Sequence, residues 1–133
     1  MYESLILIDS EATLTIADLA AELRRFYAKS SAEYSPVEIV VAGATLTLLW
    51  PEYRLKIHHS SAPHVLAESM EIAERFGAGR ADKDRIGRCR ERLETSGEDD
   101  PEMEFFNDYL FVGEAAARLA KVFRFDSASG DIE

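Results

Sequence analysis

The chain has 133 residues, a formal net charge of −10 and a hydrophobic content of 47%, which predicts a single globular domain over residues 1–133 and argues against disorder. Its only cysteine, Cys89, excludes an intrachain disulfide, and its negative charge argues against binding to nucleic acid or to an anionic membrane surface. No apolar run approaches the ~20 residues of a membrane span and the start of the chain lacks the basic segment of a signal peptide, so we expect a soluble, cytoplasmic protein.

A short strand and an amphipathic helix are predicted first. The apolar run from Ser4 to Ile8 has the length of a strand and is followed by a polar turn. A helix begins at Thr15, and Ser30-Ser31 with Pro36 end it. Its apolar positions recur at helical spacing: Ile16, Leu19, Leu23, Phe26 and Tyr27.

Three strands are predicted next, between about residues 37 and 59. Val37 to Val41 is rich in β-branched residues, and the segments from Ala44 to Trp50 and from Tyr53 to His58 alternate between apolar and polar residues. Ala42-Gly43 and the Trp50-Pro51-Glu52-Tyr53 segment suit tight turns. Because such short connections join antiparallel neighbours, we expect a three-strand meander.

Three helices and a last strand complete the prediction. The second helix has Pro63 in its first turn and ends near Gly77, with an apolar side formed by Val65, Leu66, Met70, Ala73 and Phe76. Asp82 can cap the third helix, in which Ile86, Cys89 and Leu93 share one face.

The segment from Thr95 to Asp99 is predicted to be a loop, and Asp100-Pro101 to start a helix that reaches about residue 120. A strand through Tyr109 to Val112 is the alternative, because Gly113 interrupts the helical pattern. The stripe predicted for this helix consists of Met103, Phe106, Leu110, Ala117 and Ala120.

With a final strand from Val122 to Phe125, the predicted order is β-α-β-β-β-α-α-α-β. This order indicates an α+β fold, with a small antiparallel sheet and helices packed mainly on one face.

The three histidines of the chain, His58, His59 and His64, fall within seven residues and raise the hypothesis of a metal site. However, adjacent residues of a strand point to opposite faces, so His58 and His59 converge only if the strand ends before them. No His-Glu-x-x-His pattern is present. We therefore predict histidines at the edge of a strand.

Other constellations also have structural explanations. Cys89 lies at an apolar helix position, where a buried and unreactive thiol is expected. The acidic run Glu98-Asp99-Asp100-Pro101 does not fit a calcium loop, and a role at the start of a helix accounts for Asp100, Glu102 and Glu104. Gly77-Ala78-Gly79-Arg80 has no Walker lysine. Three aromatic residues could line a ligand groove, although packing in the core is the favoured role: Tyr34, Trp50 and Tyr53.

The charges fall into two consecutive blocks. Basic residues dominate between Arg80 and Arg92, and from Glu94 to Asp108 every charged residue is acidic. The blocks either neutralise each other in the fold or present two faces to a partner. Arg85, Arg88 and Arg92 form a predicted arginine stripe, for which pairing with the acidic loop is favoured over the binding of an anion or an acidic protein.

These observations assign no catalytic, cofactor-binding or metal-ligating residue. The predicted function is non-catalytic. We expect a protein-binding module, either an immunity- or antitoxin-like inhibitor or a chaperone, whose partner is another protein with a basic surface. A homo-oligomer is compatible with the sequence. The alternative that stays open is a small-molecule- or metal-binding domain, including an enzyme, that uses the segment of His58, His59 and His64.

Overall fold

The computed structural model describes residues 2–29, 35, 36 and 38–133. This part of the chain contains seven strands and four helices. The strands are β1 (Glu3–Ile8), β2 (Glu38–Ala42), β3 (Thr45–Trp50), β4 (Tyr53–Ser60), β5 (Glu91–Gly97), β6 (Val122–Asp126) and β7 (Asp131–Ile132). The helices are α1 (Ile16–Ala28), α2 (Pro63–Phe76), α3 (Lys83–Gly87) and α4 (Phe106–Leu119).

The strands form one antiparallel sheet in the order β2-β3-β4-β5-β1-β6-β7. The predicted α+β class is confirmed, and so is the meander, which is β2-β3-β4. The predicted start of β2 at Val37 and the predicted helix stop at Ser30-Ser31 lie outside the described residues.

Helix α1 follows from its sequence. The Thr15 hydroxyl accepts a hydrogen bond from the Asp18 amide at 3.0 Å, which caps the first turn. Four of the five predicted apolar positions are buried. The exception is Phe26, which is 38% exposed and stacks on Phe111 with 3.6 Å between ring centroids.

The prediction of a third helix reaching Leu93, followed by a loop from Thr95, is wrong. Helix α3 ends at Gly87, and the chain then enters strand β5, which pairs with β4 on one side and β1 on the other. Ile86, Cys89 and Leu93 do recur at helical spacing, but this short pattern takes account only of residues close in the sequence. Two hydrogen-bonded ladders outweigh it, and neither ladder can be read from residues near β5 in the sequence.

Helix α4 resolves the alternatives for residues 101–120 in favour of a helix, but it begins at Phe106. The Asp100 carboxylate accepts hydrogen bonds from the Glu104 and Phe105 amides at 3.0 and 2.8 Å, which forms a turn ahead of the helix. Met103 adopts a positive φ of 56°, a conformation that no α-helix accommodates.

The predicted stripe of α4 is misplaced, and that of α2 is confirmed only at Val65 and Ala73. In α4 the buried residues are Phe111, Val112, Gly113, Ala115 and Ala116, whereas Met103 and Leu110 are 57% and 42% exposed. In α2 the buried residues are Val65, Ser69, Ile72 and Ala73, whereas Met70 is 59% exposed. Both helices carry apolar residues on more than one side, so the packing partner decides which side is buried.

The core has two parts, one on each face of the sheet. Alternate residues of β1 point to opposite faces, so that Ile6 and Ile8 join the core beneath α1 and α4, and Leu7 joins the core beneath α2 and α3. The helices are thus divided two and two between the faces. The prediction that they pack mainly on one face is wrong, because β1 is apolar on both of its sides and each side needs a cover. Cys89 is fully buried in the second core, and this burial raises the pKa of its thiol to about 12, as expected for an unreactive thiol.

Within the described residues, no helix combines the length and the apolar character that crossing a membrane requires.

Gly97 gives the first prediction. A Cβ at this position would overlap the hydroxyl of Tyr53 and lie 3.2 Å from Leu55 Cδ1. Gly97→Ala should therefore lower the free energy of unfolding by about 2 kcal/mol, measured by urea denaturation.

Tyr53→Phe provides the control, because it removes the overlapping hydroxyl. That hydroxyl is buried and has no hydrogen-bond partner among the described residues, so its removal alone should be neutral or stabilising. In the double variant the loss caused by Gly97→Ala should shrink by about half. Strictly additive losses would contradict the packing described here.

Candidate functional site

Strand β5 separates the two charge blocks. The basic block ends at Arg92, near the start of the strand, and the acidic segment from Glu98 onward leaves its other end. At about 3.3 Å per residue the strand spans roughly 20 Å. Arg92 and Glu94 pair on the strand itself at 2.8 Å. The other residues of the two blocks lie at opposite ends of β5.

The predicted arginine stripe does not form, because the helix that would display it ends at Gly87. Arg85 lies 2.5 Å from the buried carboxylate of Asp9. Arg88 is exposed and donates to the carbonyl oxygen of Asp84. The favoured interpretation, pairing within the molecule, is right for Arg85, but the partner is not the acidic loop.

Arg92 lies on the sheet face that carries α2 and is only 5% exposed. Its guanidinium donates to Glu94 Oε2 at 2.9 Å and to Glu68 Oε1 at 2.9 Å. These two carboxylates are themselves partly exposed. The buried guanidinium therefore needs these carboxylates to offset its lost hydration, whereas water can still solvate the carboxylates without it.

The three histidines have separate partners, as the strand prediction requires. His58 Nδ1 lies 3.0 Å from Thr45 Oγ1, and His59 Nε2 lies 3.1 Å from Glu91 Oε1 on the opposite face. His64 Nε2 lies 3.9 Å from Glu68 Oε2. Strand β4 continues to Ser60, which keeps His58 and His59 apart. Over residues 2–29, 35, 36 and 38–133, no group of three or more His, Cys, Asp or Glu side chains could hold a metal ion.

The most distinctive charged surface lies at the far end of β5. We call it the acidic end and define it by six residues: Glu52, Glu98, Asp99, Asp100, Glu102 and Glu104. The turn between β3 and β4 supplies Glu52, and the segment that leaves β5 supplies the others. The Glu98 amide donates to the Arg54 carbonyl oxygen at 3.2 Å, which attaches this segment to β4.

Asp100 holds the acidic segment in place. Besides the two backbone amides, it accepts a hydrogen bond of 2.6 Å from the hydroxyl of Tyr2. Burial by itself would raise the pKa of Asp100, but the hydrogen bonds from Tyr2, Phe105 and Glu104 outweigh it and lower the pKa. The carboxylate is therefore kept ionised as the centre of the turn.

Aromatic packing attaches the acidic segment to the core. Phe105 stacks on Tyr53 with 4.3 Å between centroids and an interplanar angle of 4°, and it also contacts Trp50 at 5.0 Å. Trp50 and Tyr53 are 8% and 2% exposed, so they pack in the core as predicted and do not line an open groove. Tyr34, the third residue of that hypothesis, lies outside the described residues.

Glu102 and Glu104 are the exposed carboxylates at the tip of the acidic segment. Glu102 and Glu104 have no ion pair within the part of the chain that the structure describes, and Glu98 has an exposed contact of 3.5 Å with Arg54. A hydrogen bond with Glu102, some burial and the nearby charges of Glu102, Asp100 and Glu52 raise the pKa of Glu104. Negative charge is thus concentrated on a fixed surface.

Met103 lies between Glu102 and Glu104. The sequence pattern predicted it to be part of an apolar helix stripe rather than a surface residue. Met103 combines 57% exposure with a φ of 56°, a conformation that costs a non-glycine residue about 1 kcal/mol. The placement of Met103 in a helix stripe hid this feature. Its acidic neighbours on both sides were the only available signal.

The comparisons with known proteins found no matching family model, no matching curated protein and no matching solved structure. Function is therefore inferred from the geometry and charge of this chain alone.

Arg92 gives the second prediction. Glu68→Ala combined with Glu94→Ala leaves a buried cation without partners and should destabilise the protein by about 3 kcal/mol. Arg92→Met instead leaves two carboxylates that water can reach, and should cost about 1 kcal/mol. Denaturant unfolding measures both. The exposed pair of Glu71 and Arg75 provides the control, since Glu71→Ala should cost less than about 0.5 kcal/mol. Equal losses for the first two variants would contradict this asymmetry.

Asp108 gives a prediction about pH. Burial raises the pKa of this carboxyl, although it accepts a 2.5 Å hydrogen bond from the Tyr27 hydroxyl. The folded protein therefore binds the proton more tightly than the unfolded chain, whose Asp pKa is about 3.9. The stability contributed by this group is complete below that pKa and is lost as the pH rises through the higher folded value.

Asp108→Asn should consequently stabilise the protein at about pH 7, by up to about 1 kcal/mol, because an amide oxygen can still accept the Tyr27 hydrogen bond without a buried charge. The gain should vanish near pH 3. Thermal unfolding across this pH range measures it, with Tyr27→Phe as the variant that removes the donor. A gain that grows toward low pH would show that the sign is wrong.

Proposed function

We propose that this protein is a non-catalytic, cytoplasmic protein-binding module whose acidic end captures a basic partner protein, in the manner of an immunity- or antitoxin-like inhibitor. The observation that carries the proposal is the separation of the charge blocks by β5. Since the basic block lies about 20 Å away, the exposed carboxylates of Glu102 and Glu104, which form no ion pair among the described residues, remain available to a partner.

Preorganisation supports this function. The hydrogen bonds to Asp100 and the stack of Phe105 on Tyr53 fix the acidic segment before any partner arrives. A partner therefore meets a surface that needs little further ordering, which reduces the entropy lost on binding. Clustered negative charge also speeds the encounter with a basic surface.

Met103 supplies what charge alone lacks. Protein interfaces draw much of their affinity from a few apolar residues that become desolvated at the centre of the contact, surrounded by polar residues. Met103 has this position among the carboxylates, and its flexible thioether can adapt to a partner surface. Glu102 and Glu104 are thus assigned to rapid association, and Met103 to slow dissociation.

The test begins with affinity capture from the protein's own cells, using the wild-type chain and two charge variants. Glu102→Gln with Glu104→Gln alters the acidic end. Glu11→Gln with Glu114→Gln removes the same number of charges from exposed positions elsewhere. The proposal requires a basic protein that the wild type and the control capture and the acidic-end variant loses.

Kinetics with that captured protein should then divide the roles. At low ionic strength the acidic-end variant should associate about tenfold more slowly, and the difference should fade above about 0.3 M salt. Met103→Ala should mainly accelerate dissociation, by about tenfold. A partner that binds both charge variants equally, or whose binding does not respond to salt, would refute the acidic end as the interface.

A further inference from the structure

A cleft of about 180 Å³ opens between helix α4 and the sheet, beside strands β1, β5 and β6. Ile6, Phe106 and Tyr109 form apolar parts of its wall, and Asp126, Asp131 and Glu133 contribute carboxylates. An apolar cavity of about 150 Å³ suffices for benzene, so this space suits a ligand built on one six-membered ring. It is separate from the acidic end.

Thr95 provides the first sign of a ligand. The residue is 4% exposed, and its hydroxyl has no hydrogen-bond partner within the described residues. It lies opposite Ser4 on β1 and Ile57 on β4, and Ile57 belongs to the core beneath α4. Since directly opposed residues of antiparallel strands share a face, the Thr95 side chain points toward the cleft that it lines.

A carboxylate pair provides the second sign. Asp126 and Asp131 are directly opposed on β6 and β7, and both line the cleft. Like charges in this arrangement repel each other and destabilise the sheet. Neither carboxylate forms an ion pair with any residue in the described ranges, and the nearby Arg124 is engaged by Glu133 at 3.3 Å. A bound cation would relieve this repulsion.

Gly113 makes room for Arg124 at the wall of the cleft. A Cβ on this residue would lie 3.0 Å from Arg124 Cδ, so a side chain here would push against the arginine that packs against α4. Glycine within a helix is less stabilising than alanine, so α4 gives up some helix stability at the position where Arg124 packs.

We infer that the cleft binds a small amine with an aromatic or other ring-sized apolar body, in which a polar substituent contacts the Thr95 hydroxyl and the ammonium group lies between Asp126 and Asp131. The apolar wall receives the ring. This binding site is independent of the proposed capture of a basic protein, because none of its carboxylates belongs to the acidic end.

Three probes of matched size test the inference: tyramine, phenethylamine and 3-(4-hydroxyphenyl)propionate. In a titration followed by amide NMR of the whole chain, tyramine should shift the resonances of Thr95, Gly113 and Asp131 saturably. Phenethylamine, which lacks the hydroxyl, should bind about tenfold more weakly. The propionate carries a carboxylate and should leave these resonances unchanged.

Two variants identify the contacts. Thr95→Val should keep the fold, raise the melting temperature slightly and abolish the difference between tyramine and phenethylamine. Asp131→Asn should raise the melting temperature of the free protein, because it removes the repulsion with Asp126, and should weaken both amines about tenfold. A melting temperature that falls in both variants would contradict the strain inferred at these sites.

The inference is overturned if no amine shifts the resonances of Thr95 and Gly113, or if the propionate binds as tightly as tyramine. It is also overturned if Thr95→Val preserves the preference for tyramine. None of these outcomes affects the acidic end, whose own test uses different variants.

Discussion

Strand β5 is hydrogen-bonded on both sides, to β4 and to β1, and the rest of the molecule depends on this pairing. The alternation of the strand turns Arg92 toward α2 and sends Thr95 and Gly97 toward α4. Its length keeps the basic block away from the acidic segment. The charge separation, the buried arginine and the wall of the cleft are therefore consequences of one strand in the middle of the sheet.

The acidic end and the cleft share a physical logic. At each site, other contacts hold carboxylates near one another. At the acidic end these are the hydrogen bonds to Asp100 and the stacking of Phe105, and at the cleft they are the backbone pairing of Asp126 with Asp131. Each arrangement keeps repulsion that a cation would relieve. They differ in shape, because one is a convex surface around Met103 and the other is a small cleft between α4 and the sheet. This difference is why a protein is proposed for the first and a small amine for the second.

Local sequence patterns predict the observed elements where those patterns and the tertiary packing agree. The periodicity of α1, the alternation of β3 and β4, and the turn at Pro51 each predicted the observed element. Alternation also placed Trp50 in the core and predicted that His58 and His59 would point apart. The prediction is wrong at β5, where Ile86, Cys89 and Leu93 have helical spacing although Leu93 lies in a strand. It is wrong again at Met103, because a proline after an acidic residue resembles a helix start whether or not the helix begins there.

The sequence by itself determined the α+β class, the meander, the burial of Cys89 and the existence of two charge blocks, because each depends on composition or on residues a few positions apart. The tertiary structure alone decided that these blocks lie at opposite ends of one strand. It alone decided that Arg92 on β5 pairs with Glu68 on α2 and that Thr95 lies opposite Ser4 and Ile57. These facts depend on which strands become neighbours, and that choice is made by the burial of surfaces distant in the sequence, so no local pattern records it.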